Sequence, residues 1–252
     1  MSLILISAFP SDSREFPEHN NYLEISEFFS DTLQGENFVG WPATFLRLQN
    51  CTLNCVYCDT QEVWRQGNPY TFEELFSLME SVDLIKRLKE GQRFIVTGGS
   101  PLKQQLGLIS FFQQFKEKFG FLPYIEIENE CVLKPRMELV EIVSCWNNSP
   151  KLASSGNSKV ARHKPFVISY MSMLYNSWFK FVIECEEDWQ EIQMDFLDTE
   201  IIQKRQIVLM PMGETREQLK KTQEICAEMS IKHNVRYSPR VHIDLWDKKT
   251  GV

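Results

Sequence analysis

Three cysteines crowd into eight positions of this chain, and their spacing indicates chemistry more directly than any other feature. Cys51, Cys55 and Cys58 form a CxxxCxxC pattern. Thiolates are the usual protein ligands of iron–sulfur clusters, and three of them on a four-iron cubane would leave one iron without a protein ligand. An open coordination position is where a metal centre can bind another molecule. The pattern therefore predicts a reactive 4Fe-4S cluster on this loop.

Two other readings of the triad are a zinc site and three buried cysteines. Structural zinc normally takes four ligands, often as paired CxxC units. No second pair and no nearby histidine exist in the sequence. The other four cysteines are scattered, whereas a secreted disulfide framework would need a shorter and cysteine-denser chain. A non-catalytic iron–sulfur or zinc protein stays open as an alternative.

Composition excludes some classes of function. The chain has 252 residues, 43% of them hydrophobic, and a formal net charge of -7. An acidic chain is a poor candidate for general nucleic-acid binding, which depends on neutralising phosphates. We see no apolar stretch of about 18 residues, so we expect no membrane span. The amino terminus lacks the basic start of a signal peptide, so we expect a cytoplasmic protein.

Alternating strand and helix patterns must position the cysteine loop. Residues 1–21 have the polar character of a loose leader, and residues 22–252 form one domain. A capping box at Thr71 and Glu74 opens a helix, and Thr215 with Gln218 opens another. Further helices are predicted over 106–119, 136–144 and 189–197. Strands are predicted over 22–28, 44–48, 93–97, 124–128, 178–184 and 206–210, with a strand-like stretch at 241–246.

This order predicts an α/β fold built from right-handed βαβ units around a parallel sheet. About six such units are too few for a closed eight-fold barrel. We therefore expect an open partial (β/α) barrel of about six parallel strands.

Several motifs together resemble one family. They are Thr32-Leu-Gln-Gly-Glu36, Gly40-Trp-Pro42, Phe45-Leu-Arg47-Leu, the triad with Asp59-Thr60, Thr97-Gly98-Gly99, Ser149-Pro150-Lys151, Lys180-Phe-Val, Leu209-Met-Pro211 and Ser238-Pro-Arg240-Val-His242. The triad resembles the radical S-adenosylmethionine superfamily. The Gln-Gly-Glu segment with Cys-Asp-Thr resembles the 7-carboxy-7-deazaguanine synthases over about residues 22–252.

The resemblance implies an activity and its cofactors. The family converts 6-carboxy-5,6,7,8-tetrahydropterin to 7-carboxy-7-deazaguanine with loss of ammonia, which supplies the synthesis of queuosine-type bases. It uses a 4Fe-4S cluster, S-adenosylmethionine as a recycled cofactor and Mg²⁺. The cofactor carries the radical chemistry, so no catalytic side chain is assigned. A flavodoxin-like electron donor and a homodimer are also implied.

The resemblance assigns roles residue by residue. Cys51, Cys55 and Cys58 would hold the cluster, and Thr60 would ligate Mg²⁺. The segments expected to bind S-adenosylmethionine comprise Tyr57, Cys58, Asp59, Gly99, Ser149, Pro150 and Lys151. The family usually carries Glu after the two glycines, whereas this chain has Ser100.

The substrate-binding positions implied by the resemblance are Leu33, Gln34, Gly35, Arg47, Thr97, Glu128 and the carboxylate of Val252. A guanidinium fork at Arg47 suits the substrate carboxylate. Glu126 shares a strand face with Glu128, so either could contact the pterin. His242 is a further candidate for the site lining. A radical enzyme that activates a glycyl-radical partner stays open as a second function, because it would share the triad.

Overall fold

The computed structural model describes residues 2–9, 13–249 and 251 of the chain, and a ten-stranded sheet organises them. The strands are β1 (Leu3–Ile6), β2 (Tyr22–Leu33), β3 (Pro42–Leu48), β4 (Asn68–Thr71), β5 (Arg93–Gly98), β6 (Tyr124–Asn129), β7 (Cys145–Asn148), β8 (Ser177–Ile183), β9 (Ile207–Pro211) and β10 (Arg236–Tyr237). Their order is β1-β2-β3-β5-β6-β7-β8-β9-β10, and β4 pairs with β2.

Parallel pairing runs from β3 to β10, and antiparallel pairing occurs only around β2 among the described residues. The strands β1 and β4 share the outer edge of β2. The sheet does not close on itself, which confirms the predicted open partial barrel. Part of the leader that we expected to be loose is regular, because Leu3–Ile6 forms a strand that pairs with β2.

Helices cover one face of the sheet. They are α1 (Gln61–Trp64), α2 (Phe72–Ser81), α3 (Leu84–Lys89), α4 (Gln105–Phe119), α5 (Met137–Ile142), α6 (Lys159–Arg162), α7 (Pro165–Ser172), α8 (Glu186–Ile192), α9 (Arg216–His233) and α10 (Val241–Trp246). The capping box predicted at Thr71 and Glu74 is present. Among the described residues, no helix is both long enough and apolar enough to cross a membrane.

One sequence prediction about an element was wrong, and one strand was missed. Residues 241–246 form the helix α10 instead of a strand, because alternation over six residues does not separate the two periods. Residues 145–148 form the strand β7, which is absent from the strands predicted from the sequence. Trp146 is fully buried in the core and holds this short segment between β6 and β8.

The register of the sheet separates an apolar face from a polar one. Leu46, Val96 and Ile127 belong to the core beneath the helices, where the rings of α2 and α4 also pack. Successive side chains of a strand point to opposite faces. Arg47 lies opposite Thr97, and Glu126 lies opposite Cys145, on the other face. This inner face carries Arg47, Thr97, Glu126, Glu128, Asn147 and Lys180.

Candidate active site

The three-cysteine loop leaves the carboxyl end of β3, at the edge where parallel sheets of this kind place their sites. Cys55 is buried, whereas Cys51 and Cys58 are partly exposed. Three donors face the sulfur atoms: Leu53 N lies 3.4 Å from Cys51 Sγ, Asn157 Nδ2 lies 3.3 Å from Cys55 Sγ, and Trp64 Nε1 lies 3.4 Å from Cys58 Sγ. Each sulfur therefore has an N–H donor.

A turn after β7 holds this loop from the side. Val56 N donates to Ser155 O at 3.0 Å, and Asn54 N donates to Asn157 Oδ1 at 3.0 Å. Gly156 has a φ of +75°, and a Cβ there would lie 2.8 Å from a methyl group of Val56. The cysteine loop is therefore fixed by backbone contacts as well as by its own turn.

The donor set fits an iron–sulfur cluster. Among the described residues, no three His, Cys, Asp or Glu side chains converge on one point that would hold a single metal ion. The sulfur ligands of a 4Fe-4S cluster lie farther apart than the ligands of a single ion, because each thiolate binds a different iron. Burial raises the pKa of the Cys51 thiol to about 11. Cluster assembly must therefore displace the proton of the Cys51 thiol.

Two consecutive glycines let the end of β5 approach the cysteine loop. A Cβ on Gly99 would lie 2.3 Å from Asn50 O and 2.7 Å from the Cβ of Cys51. Gly98 has a φ of +147°, and a Cβ there would lie 2.4 Å from Leu48 O. Any larger residue at position 99 would displace the loop, so backbone packing alone already demands glycine there.

Arg47 is fixed on the inner face by a buried partner. Its Nε lies 3.1 Å from Glu27 Oε1, and no other described residue accepts a hydrogen bond from this guanidinium. Burial would lower the pKa of Arg47, but the negative charges of Glu27 and Glu128 outweigh burial and raise it. The terminal nitrogens are therefore charged and available to an anionic group.

Glu128 and Glu126 differ in their hydrogen-bond partners and in their burial. Thr97 Oγ1 donates to Glu128 Oε2 at 2.6 Å, near the charge of Arg47. Glu126 is fully buried and accepts hydrogen bonds from Gln34 Nε2 and Asn147 Nδ2 at 2.8 and 2.7 Å. Glu128 is therefore the more accessible carboxylate of the two, and Glu126 supports the loop that begins at Gln34.

The side chain and the backbone of Gln34 both form hydrogen bonds within the protein. Its Nε2 binds Glu126, its Oε1 accepts from Gly35 N at 2.8 Å, and its backbone pairs with Gly40 and Trp41. A direct contact of Gln34 with a substrate stays a prediction. Leu33 ends β2 beside this loop and pairs with Pro42.

Glu36 and Lys180 form an ion pair on the inner face. Burial raises the pKa of Glu36 to about 7, although Lys180 opposes the rise. The pair lines a small pocket together with Asn37, Asn147, Trp178 and Val208. Sequence reasoning did not assign either charge to the site. A lysine inside the apolar strand Trp178-Phe-Lys-Phe-Val182 was the available signal, because burying an ammonium is unfavourable without a partner.

The segment around α10 joins two loops of the site. Ser238 Oγ donates to Gly35 O and Glu36 O, both at 3.1 Å. Arg240 forms an ion pair with Asp59. Burial would raise the pKa of Asp59, but Arg240, His242 and Arg47 lower it.

His242 stands near the same carboxylate, with its Nε2 4.0 Å from Asp59 Oδ2. Burial and Arg240 lower the pKa of His242 to about 4, so this imidazole is neutral at neutral pH. The structure thus places His242 close to the end of the cysteine loop. Arg240, its neighbour, was missed as a site residue.

The remaining predicted residues lie around the cysteine loop. Thr60 precedes α1 at the capping position, but its hydroxyl does not cap the helix and lies 3.7 Å from Cys58 Sγ. Burial raises the pKa of Tyr57. Lys151 Nζ donates to Ser149 Oγ at 2.8 Å just beyond β7, next to Pro150.

The predicted role of Val252 lies outside the described residues. Gly251, before it, accepts a hydrogen bond from Ser2 and lies near Ile4 of β1.

Comparisons with known proteins agree with this arrangement. A family model described as a 4Fe-4S single cluster domain matches residues 35–133. The 7-carboxy-7-deazaguanine synthase of Pyrobaculum aerophilum is 30% identical over 233 residues, which are 91% of this chain and 97% of that protein. The enzyme of the same name from Hyperthermus butylicus is 27% identical over 231 residues, 89% of this chain and 93% of that one. The crystal structure of QueE from Escherichia coli matches with a TM-score of 0.60 at 22% identity, covering 86% of this chain and 93% of that one.

The open parallel sheet and the cysteine loop at its carboxyl edge, with the matching cluster domain, define the class. It is that of 4Fe-4S proteins of the radical S-adenosylmethionine type. Within this class, the chain belongs to the 7-carboxy-7-deazaguanine synthase family. The family predicted from the motifs is therefore confirmed.

Proposed function

We propose that this protein converts 6-carboxy-5,6,7,8-tetrahydropterin to 7-carboxy-7-deazaguanine with loss of ammonia. The observation that carries the proposal is a guanidinium and a carboxylate side by side on the inner face, beside the cysteine loop. Arg47 and Glu128 lie within electrostatic reach of each other, and each keeps polar atoms beyond its contact with Glu27 or Thr97. The proposed substrate offers the complementary pair, a carboxylate and the guanidine-like edge of a pterin.

Arg47 binds the substrate carboxylate in this proposal. Its Nε is held by Glu27, so the terminal nitrogens face the site in a fixed orientation. A planar guanidinium can donate two parallel hydrogen bonds to a carboxylate, which a lysine cannot do. The carboxyl group of the substrate is therefore held at one defined place.

Glu128 accepts hydrogen bonds from the guanidine-like edge of the pterin in this proposal. Thr97 donates to one oxygen of this carboxylate at 2.6 Å, and the other oxygen remains for the substrate. Two N–H groups of a guanidine-like ring edge can pair with a carboxylate. Glu126, Gln34 and Gly35 form the wall behind it, since Glu126 holds Gln34 in place.

Cys51, Cys55 and Cys58 would hold the 4Fe-4S cluster. When bound, the cluster and S-adenosylmethionine supply the radical that starts the reaction. Around this loop, Gly99 lets the end of β5 lie against Asn50 and Cys51, and the family resemblance assigns its backbone to S-adenosylmethionine. We assign the rest of the cofactor contacts to Tyr57, Asp59, Ser149, Pro150 and Lys151, as the family resemblance implies.

We extend the proposal to Mg²⁺ and to the partners. The hydroxyl of Thr60 is not used as a helix cap, which supports its assignment as a Mg²⁺ ligand. The carboxylate of Val252 is proposed to contact the substrate. A flavodoxin-like electron donor, a homodimer and a cytoplasmic location belong to the same proposal, as does the absence of nucleic-acid and membrane partners.

The test is turnover by anaerobically reconstituted protein with dithionite, S-adenosylmethionine, Mg²⁺ and the carboxytetrahydropterin, with the product followed by mass spectrometry. We expect 7-carboxy-7-deazaguanine from the wild type and from Cys185→Ala, a matched control away from the triad, and none from Cys58→Ala. Cleavage of S-adenosylmethionine without pterin product would favour a different radical enzyme. Uncleaved S-adenosylmethionine would favour an electron carrier.

A further inference from the structure

A buried carboxylate beside the cysteine loop has one oxygen without a partner. Glu130 follows β6 and is only 5% exposed. Its Oε1 accepts hydrogen bonds from Ser100 Oγ at 2.6 Å and from Thr52 Oγ1 at 2.8 Å. Its Oε2 is shielded from solvent and has no hydrogen-bond partner among the described residues. This oxygen is an acceptor that the protein has buried and not used.

The two hydroxyls fix the direction of the carboxylate. Thr52 is next to Cys51 in the cysteine loop, and Ser100 follows the two glycines after β5. Cys131, with a φ of 63°, turns the chain sharply just after Glu130. The carboxylate is thus held between three segments of the site, and its free oxygen is oriented by both donors on Oε1.

The carboxylate of Glu130 lacks a cationic partner within the part of the chain that the structure describes. No Lys, Arg or His nitrogen of the described residues lies within 4.0 Å of Glu130. Lys151 is near enough to influence Cys51 together with Glu130, but its ammonium binds Ser149. A buried ionised group without a partner is costly, and a charged hydrogen-bond donor relieves that cost. A cationic group of a ligand would supply such a donor.

We infer that Glu130 accepts the α-ammonium group of S-adenosylmethionine and that Ser100 positions this carboxylate. The inference deepens the proposed function and rests on it. Ser100 is fully buried and its hydroxyl is already bound to Glu130, so position 100 offers no charge of its own. An ammonium can donate three hydrogen bonds, and one to a carboxylate is charge-assisted. The acceptor reaches the site from the end of β6.

The competing explanation is that Glu130 only braces the loops. Glu130→Gln separates the two explanations, because an amide oxygen still accepts from Thr52 and Ser100 while the negative charge is lost. A brace would keep working in this variant. An ammonium acceptor would not, since a neutral amide loses the charge-assisted bond.

The experiment measures ligand affinity of the reconstituted holoenzyme by anaerobic calorimetry. The probes are S-adenosylhomocysteine and its desamino analogue, which keeps the adenosyl and carboxylate groups. For Glu130→Gln we expect affinity for S-adenosylhomocysteine to fall by about tenfold or more, with unchanged affinity for the desamino analogue and unchanged iron content. Glu141→Gln, an exposed carboxylate on α5, is the matched control and should change neither.

Equal affinity of wild type and Glu130→Gln for S-adenosylhomocysteine overturns the inference, and so does an equal loss for both ligands. If Glu130→Gln does not retain its cluster, Ser100→Ala gives the same comparison, because it removes one donor that orients the carboxylate. Weaker binding of S-adenosylhomocysteine alone supports the inference, and any other result for Ser100→Ala overturns it. Pterin turnover is a separate readout, so failure of the proposed function leaves the difference between the two ligands intact.

Discussion

The buried pair of Glu27 and Arg47 gives the sharpest prediction about the inner face. Glu27 is 3% exposed, and its Oε1 lies 3.1 Å from Arg47 Nε. At this distance and an effective dielectric constant of about 20, the attraction is of the order of 5 kcal/mol before desolvation is counted. Removing one partner leaves the other charge buried and unpaired, which costs about 3–5 kcal/mol. Arg47→Met should lower the free energy of unfolding by this amount.

A second substitution separates the orphaned charge from lost packing. In Glu27→Gln/Arg47→Met no charge remains unpaired, so we expect most of the lost free energy to return. Urea unfolding under anaerobic conditions measures both variants. The reasoning is refuted if the single variant is no less stable than the double variant, because the penalty would then not come from Glu27.

Arg47 should also determine the KM for the substrate. Arg47→Lys keeps the positive charge but lacks the planar fork, so we expect KM for the carboxytetrahydropterin to rise about tenfold or more. Affinity for S-adenosylmethionine should not change, since Arg47 acts on the substrate. Equal losses for substrate and cofactor would contradict this role and point to a general distortion of the site.

Three further predictions concern Glu36, Phe111 and Thr60. Because the pKa of Glu36 is raised to about 7 in the folded protein, the free energy of unfolding should fall by up to about 1.4 kcal/mol per unit as pH rises from 6 toward 7. Glu36→Gln should remove this slope in urea titrations, and parallel slopes would argue against it. Phe111→Ala, which removes a buried ring packed on five other rings, should cost about 3–5 kcal/mol in the same assay, and a loss below about 1 kcal/mol would contradict that packing. Thr60→Ala should weaken the dependence of turnover on Mg²⁺ while Thr60→Ser retains it, and identical Mg²⁺ titrations would exclude the hydroxyl as a ligand.

The sheet was largely predictable because its central strands are regular. Residues 44–48 and 93–97 have buried apolar side chains that fill the core, and both are strands in the structure. The strand β7 was not predictable, because Asn147-Asn-Ser-Pro150 has the composition of a turn. Its neighbours β6 and β8 and the burial of Trp146 decide its conformation, and those contacts are remote in sequence.

The site was predictable where a local motif marks it and not where distant segments meet. The cysteine triad and Arg47 lie in adjacent motifs that can be read directly. Glu130 and Arg240 acquire their significance only through contacts with Ser100 and Asp59, which lie 30 and 181 positions away in the chain. No periodicity of a single segment reports such pairs, so only the folded structure reveals them.

The hydrogen bonds of Ser238 to the Gly35–Glu36 backbone have a consequence for biogenesis. These contacts span 203 and 202 positions, so they form only after almost the whole polypeptide has been synthesised. Long-range contacts of this kind also form slowly, because the intervening chain must first be ordered. Until then Asp59, next to Cys58, also lacks its ion pair with Arg240. The end of the cysteine loop therefore acquires its last long-range ion pair only when the carboxyl-terminal segment docks.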